Sequence, residues 1–375
     1  LFPYQQFIAD YLFKHLLVFI ANTFFRIHIA NPQIASDTSL LYLLVLLLLL
    51  FSIALLAILS FNKLWKKHCL SFIPLFHRIL FYYLALQLLK YGADKIGKAQ
   101  FYLPEPNILY TPFGKLDKDI LYWSCMGTSY GYNLFLGVME VLAAVCLLAR
   151  RLRVIGLLLA TGILTNVVAI NFCFDISVKV YSCFLLFLCL LLLPTQLRLL
   201  YNFLILKKDI RETHLNIKYK VTMGIVKTGI ICVIFLEAFY LNISSNNYND
   251  DIVARPYLHG AYQTMFVLSG TDTLPLYQFP IKRFFIHRRG YIIFQGQDDD
   301  IQDYHLDIDS NNHIFILTNY QLKQTKILYA YANKDSLLTL QYHTNGKDYT
   351  LEAKALLWQK LPVLQRQFHW TIDDE

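Results

Sequence analysis

The sequence predicts a chain in two parts: an α-helical polytopic membrane domain of about six spans, followed by an all-β extramembrane domain. Three observations carry that reading. Apolar runs long enough to cross a bilayer recur through residues 40–242. From about residue 250 the texture changes to short runs of alternating polarity. The composition agrees: hydrophobic residues make up 56% and charged residues 16%, with a mean hydropathy of +0.41. Soluble chains carry roughly a quarter charged residues, so much of this one faces something other than water. An aromatic content of 15% excludes disorder, because such a chain can bury ample apolar surface.

Residues 1–39 open the chain. Residues 4–30 are aromatic and aliphatic but broken by Gln5, Gln6, Asp10, Lys14, His15 and Arg26. That mix suits an amphipathic helix lying in the membrane interface rather than a span. Phe2-Pro3-Tyr4 reads like the exit from a preceding helix, so a further span upstream of Leu1 is expected, with a cleaved signal peptide as the alternative.

A crossing of roughly 30 Å of hydrocarbon takes about 20 residues. Runs of that kind lie near 40–60 (LYLLVLLLLLFSIALLAIL), 76–95, 131–149, 154–173, 176–196 and 222–242. Basic residues gather in alternate loops. Lys63, Lys66 and Lys67 follow the first run, Arg150, Arg151 and Arg153 separate the third and fourth, and Arg198, Lys207, Lys208, Arg211, Lys218 and Lys220 separate the fifth and sixth. The positive-inside rule makes those loops cytoplasmic, and hence places residues 96–130 and the C-terminal part outside, in the periplasm of a bacterial inner membrane.

Residues 250–375 contain RFFIHRRGYIIFQG, DYHLDID, HIFILTN, KILYAYA, SLLTLQYHT and DYTLEAKAL, punctuated by Asp-, Asn- and Gly-rich turns. Period-two hydrophobicity with such punctuation predicts an antiparallel sandwich or small barrel.

Several function classes drop out. The net charge of +8 does not mark a nucleic-acid partner, because residues 1–242 hold 22 Lys/Arg against 11 Asp/Glu while residues 243–375 hold 12 against 15. The seven cysteines form no C-x-x-C pair and none follows Cys232, so a disulfide framework is not advertised. No phosphate-binding loop, dinucleotide fingerprint or hydrolase serine motif occurs, and no metal site is expected. Asp307-Ile-Asp309-Ser-Asn311 starts like a calcium loop but meets Thr318 at the twelfth position, so it reads as a polar turn.

Polar groups inside spans are costly and therefore mark candidate sites. Asn133, Gly137 and Glu140 share one helical face at i, i+4, i+7, and Tyr83, Gln87, Tyr91 and Asp94 form a second stripe with Lys95 beside it. Asn166, Asn171, Asp175 and Lys179 complete the set. With this orientation Glu140 and Gln87 fall near mid-bilayer and the rest lie further outward, so four helices would direct polar groups into one outward-opening cavity capped by residues 96–130. An unpaired carboxylate there costs roughly 3 kcal/mol on insertion scales, so Glu140 must be protonated or paired with Lys95 or Lys179. Three readings stay open: hydrogen bonds that hold the bundle together, a ligand or redox cavity, and a proton or ion pathway.

The stretches YYLALQLLKYGADKIGKAQFYLPEPNILYTPFG, LYWSCMGTSYGYNLFLGVMEVLAAVCLLARR and NVVAINFCFDISVKVYS resemble the DoxX-like integral membrane proteins, in particular a Bacteroidetes-type branch with a C-terminal soluble β-domain. The resemblance covers about residues 80–205, and more loosely Ser36-Asp37-Thr38. It rests on Tyr91-Gly92, Lys95, Gln100-Phe101, Pro104, Pro106, Trp123, Met126-Gly127, Gly137, Glu140, Asn166, Asn171, Asp175 and Lys179. It implies a helical-bundle core and, by analogy with a membrane subunit of thiosulfate:quinone oxidoreduction, a quinone or other lipid-soluble ligand within a redox-related complex. The paired core cysteines that a thiol relay needs are missing. The alternative is a non-enzymatic membrane scaffold that docks protein partners through residues 250–375.

Overall fold

The computed structural model describes residues 4–27, isolated positions between 37 and 53, residues 65–205, and residues 217–365 apart from 271, 276, 278 and 345. The chain forms two compact units. One comprises the residues up to Tyr102 together with Ser129–Asp251; the other comprises Leu103–Thr128 and the chain from Ile252 onward.

The first unit is helical. Helix α1 (Tyr4–Ile20) ends in a π-helical turn at Ala21–Phe25. It is followed by α2 (Trp65–Ile96), α3 (Tyr130–Leu148), α4 (Arg153–Cys173), α5 (Lys179–Leu204) and α6 (Ile217–Ser244). Side chains satisfy helix ends where the loops are short. The Ser129 hydroxyl accepts from the Tyr132 N–H at the start of α3, and Asp37 Oδ1 accepts from the Val180 N–H at the start of α5, 2.9 Å away. At the sharp turn from α3 into α4, the Arg153 guanidinium donates back to the Leu147 carbonyl at 3.2 Å and lies over the Phe81 ring.

Leu84 and Leu88 of α2, Ala143 and Leu147 of α3, Leu157 and Ala160 of α4, Leu188 and Leu192 of α5, and Ile234 and Ala238 of α6 share one buried core. The outer surface is also apolar: Phe135, Val138, Leu142, Leu158, Phe184, Phe187 and Leu236 are all exposed. A helical surface of that kind suits lipid rather than water.

Among the described residues four segments are long and apolar enough to cross a membrane: Tyr130–Leu148, Arg150–Cys173, Lys179–Arg198 and Gly224–Ser244. Six were expected. The run at 40–60 lies largely outside the described residues. The run at 76–95 is helical, inside α2, but Arg78, Lys90, Asp94 and Lys95 make it too polar to count by composition. Its interior position explains the polarity, since Gln87 and Lys95 are buried against protein instead of facing lipid.

The second unit is a closed antiparallel barrel, which resolves the choice between sandwich and barrel. Its strands are β1 (Gly260–Ser269), β2 (Asp272–Leu274), β3 (Ile281–His287), β4 (Tyr291–Gly296), β5 (Ile301–Asp309), β6 (Ile314–Thr318), β7 (Gln324–Ala332), β8 (Leu337–Thr344) and β9 (Lys347–Leu356). β3 to β9 run as a meander, and β1 pairs with β3 on one side and β9 on the other, so that Ala261 faces both Phe285 and Leu356. β2 adds a short hairpin to the end of β1. Alternate residues point inward, as with Ile292 on β4, Phe315 and Leu317 on β6, Ile327 and Tyr329 on β7, and Leu338 and Leu340 on β8. The polar turn after Asp307 is an Asx turn: Asp309 Oδ1 accepts from the backbone N–H groups of Asn311 and Asn312.

Residues 103–128 belong to the barrel unit, whereas the sequence suggested a cap over a membrane cavity. Their chemistry explains the assignment. Tyr110 stacks on Phe285 with ring centroids 6.1 Å apart, its carbonyl accepts from Gln295 Nε2 at 3.1 Å, and Arg283 lies over its ring. The segment thereby straps the outer face of β1, β3 and β4, where Ala261, Phe285 and Ile293 form a second small core.

Candidate functional site

Glu140 sits on the interior face of α3 and Lys95 near the end of α2. The Lys95 ammonium donates to both carboxylate oxygens, at 2.8 and 2.9 Å. Lys95 and Glu140 are 6% and 4% exposed. Backbone packing makes this contact available. Gly92 and Gly137 meet one turn earlier on the same two helices: a Cβ at Gly137 would stand 2.7 Å from the Gly92 carbonyl oxygen, and one at Gly92 would stand 2.9 Å from the Gly137 carbonyl oxygen. Small residues let the helix backbones touch, and three positions on, the two charged side chains face each other across the gap.

Aromatic faces complete the surroundings. The ammonium lies 5.5 Å from the Tyr91 ring centroid and 5.9 Å from that of Phe101, a geometry that favours a cation. Two of its three N–H donors go to Glu140. The pair therefore offers a ligand one further strong donor, a carboxylate and two ring faces.

The other expected residues divide. Gln87 and Asn133 are buried, with Asn133 Nδ2 donating to the Ser129 carbonyl at 2.9 Å. Asp94 and Tyr91 are half-buried. Asn171 is buried at the end of α4, where its amide reaches the Val178 carbonyl at 3.5 Å. Lys179 pairs with Asp175 at 2.7 Å and not with Glu140, and the Asp175 side chain is 83% exposed. Asn166 is exposed on α4 and joins neither group. Asn166 and Asn171 are five residues apart, which on a helix is a rotation of about 140°, so one helix could not bring both to the same face.

The chain is 39% identical to the uncharacterized protein YwoB of Bacillus subtilis (strain 168) over 111 residues, which is 30% of this chain and 70% of that protein. The chain belongs to the YwoB family. No family model matches it, and no solved structure matches it.

Two charge clusters escaped the sequence reading. Within the helical unit the Lys98 side chain is fully buried and pairs with Asp251, while Asn242 Nδ2 donates to the Ala93 carbonyl at 3.1 Å, so the ends of α2 and α6 are tied together. Within the barrel unit Glu105 is 2% exposed. It bonds His259 Nε2 at 2.8 Å and the Arg288 guanidinium, with His287 at 3.8 Å. Burial works to raise its pKa, but the His259 hydrogen bond and the charge of Arg288 hold the carboxyl at about 2. Burial pushes the His287 imidazole below its ordinary value, against the pull of Glu105. Partners 153 and 154 residues apart leave no local signal.

Proposed function

We propose that the chain is a bacterial inner-membrane protein whose helical unit binds a lipid-soluble small molecule of the quinone class at the Lys95–Glu140 pair, as part of a redox-related complex. The observation that carries this reading is the pair itself, at 6% and 4% exposure in a bundle with an apolar exterior. Burying two ions costs several kcal/mol each before their attraction is counted. Packing of α2 on α3 is already supplied by Gly92 and Gly137 and needs no charge. A quinone oxygen accepts a hydrogen bond, which Lys95 can donate, while Glu140 can hold a proton beside it and Tyr91 and Phe101 offer ring faces. The resemblance to DoxX-like proteins supports the same ligand class.

The composition of the barrel unit supports the orientation. Its two chain segments, 103–128 and 252–365, are separated by α3 to α6, and four crossings return the chain to the side it left. Arg150, Arg151 and Arg153 then lie on the opposite side, which the positive-inside rule makes cytoplasmic. That parity supports a periplasmic barrel.

Titrating the full chain in lipid nanodiscs with a short-chain ubiquinone analogue tests the site. Saturable binding is expected, weakened at least about tenfold in Glu140→Gln and Lys95→Met, since a hydrogen bond to a charged group contributes about 1.5–3 kcal/mol. Absent binding, or equal affinity in all three proteins, would overturn the reading. A second reading draws on the way the pair closes on itself, satisfying both carboxylate oxygens: a structural clamp in a scaffold whose partners dock on the barrel. It requires that both variants lose stability without any change in ligand affinity, and that a pull-down with the full chain recovers a partner that the chain lacking residues 252–365 does not.

A further inference from the structure

The barrel is filled along much of its length and opens into a cavity at one end. Tyr262, Phe284, Ile292, Phe315, Tyr329 and Leu338 fill part of its interior. One pleat along the same inward faces, Phe294, Leu317, Ile327, Leu340 and Leu351 line a cavity of about 680 Å³. An eight-stranded barrel is just wide enough either to be filled by its own side chains or to hold one small ligand. This one does both, and the hollow end falls within the size range of small-molecule sites, about 300–1,000 Å³.

The lining selects a class of occupant. Its body is aliphatic and aromatic. Tyr304 and Tyr342 also line the cavity, and neither hydroxyl bonds another described residue. One residue pair beyond Leu351, Thr264 faces Ala353 across β1 and β9 and shares the inward face of Tyr262. Its hydroxyl is buried and has no hydrogen-bond partner. A buried hydroxyl left unbonded is costly, and the two tyrosine hydroxyls of the lining are open to polar atoms of something else. The charged lining residues are Asp298 and Asp300. Lys115 lies outside the lining and spends itself on the Asp300 carboxylate, 2.6 Å away, and on the Asp298 carbonyl. An anionic head group would meet carboxylates and no lining cation, which disfavours it.

We propose that the hollow end of the barrel is a second binding site, for an uncharged lipid-soluble molecule whose polar end carries a hydrogen-bonding group. The site belongs to the barrel unit alone and does not depend on the reading of Lys95 and Glu140.

The full chain in nanodiscs can be titrated with N-phenyl-1-naphthylamine, a neutral apolar fluorophore with one N–H, after subtracting empty nanodiscs. One saturable site per chain is expected. Thr325 and Gln302 are exposed residues of the cavity lining on β7 and β5, so Thr325→Trp and Gln302→Trp plug the mouth without touching buried packing. Each should weaken binding at least about tenfold, while Leu328→Trp, on the outward face of β7, leaves it unchanged. The sulfonated analogue 1-anilinonaphthalene-8-sulfonate should bind at least about tenfold more weakly than the neutral probe. No saturable signal above empty nanodiscs, or equal binding by the plugged and the Leu328→Trp proteins, would overturn the site. Equal affinity for the two probes would overturn the assignment to uncharged ligands.

Discussion

Glu140 in the helical unit and Glu105 in the barrel unit are both nearly sealed from water, at 4% and 2% exposure. Glu140 meets one ammonium, which itself lies near two ring faces, so one charge balances one charge. Glu105 meets Arg288, His259 and His287, a surplus of donors drawn from the end of β3, the turn after it and the segment before β1. Three donors, one of them the Arg288 cation, fix the Glu105 carboxylate in one state and make it a clasp between distant parts of the chain. A single balanced pair can be tipped by a proton or by a ligand oxygen. The two carboxylates thus separate what the barrel needs in order to stand from what the bundle can use for chemistry.

The largest effect is expected at the clasp. Glu105→Ala leaves Arg288 and its neighbours without the anion that compensates them, and breaking a buried pair in this way costs about 3–5 kcal/mol. Denaturant unfolding followed by near-UV circular dichroism would register it in the barrel; an unchanged midpoint would remove the structural side of the contrast. Acid should act on the same group. The Glu105 carboxyl lies at about 2 in the fold against an ordinary 4.5. Its contribution is therefore complete above about pH 4.5 and is lost as the pH falls toward 2, on the order of 3 kcal/mol at about 1.4 kcal/mol per unit. His287, whose folded pKa is lowered, adds a loss in the same direction below its ordinary value of 6.5, because the unfolded chain takes up that proton first. Barrel stability should fall with acid in the wild type, and the fall between pH 4.5 and 2 should be much reduced in Glu105→Gln.

In the helical unit Gly137→Ala forces a methyl group onto the Gly92 carbonyl, a clash that costs about 1–3 kcal/mol and pushes Lys95 away from Glu140. Thermal unfolding in detergent and quinone affinity should both deteriorate; loss of stability with full affinity would separate the pair from the ligand. The smallest effect is expected for Lys115→Ala. Its ion pair with Asp300 is exposed, and such pairs contribute little, so neither barrel stability nor binding by the helical unit should change measurably.

Local periodicity made much of this legible. The runs that became α3 to α6 and β3 to β9 announce their own period, and the cost of a buried carboxylate within a span required Glu140 to be protonated or paired, of which the structure shows the Lys95 pair. β1 escaped because a bulge between Thr264 and Phe266 breaks its alternation, so that Met265-Phe266-Val267-Leu268 reads as one apolar run. Barrel closure between β1 and β9, and the strap at 103–128, depend on contacts across much of the chain that no window of sequence contains. At the candidate site the failures were geometric. Asn166 and Asp175 have the right chemistry, but helix phase carries the first outward and an exposed turn, with Asp175 at φ 55°, carries the second away.

Infrared difference spectroscopy of the full chain in nanodiscs, with and without a short-chain ubiquinone analogue, asks directly whether Glu140 is the responsive carboxylate. A carboxylate band should shift on ligand addition in the wild type and in Glu105→Gln, and the shift should vanish in Glu140→Gln. A shift that persists in Glu140→Gln, or a spectrum in which ligand binds and no carboxylate responds, would contradict the division of roles between the two glutamates.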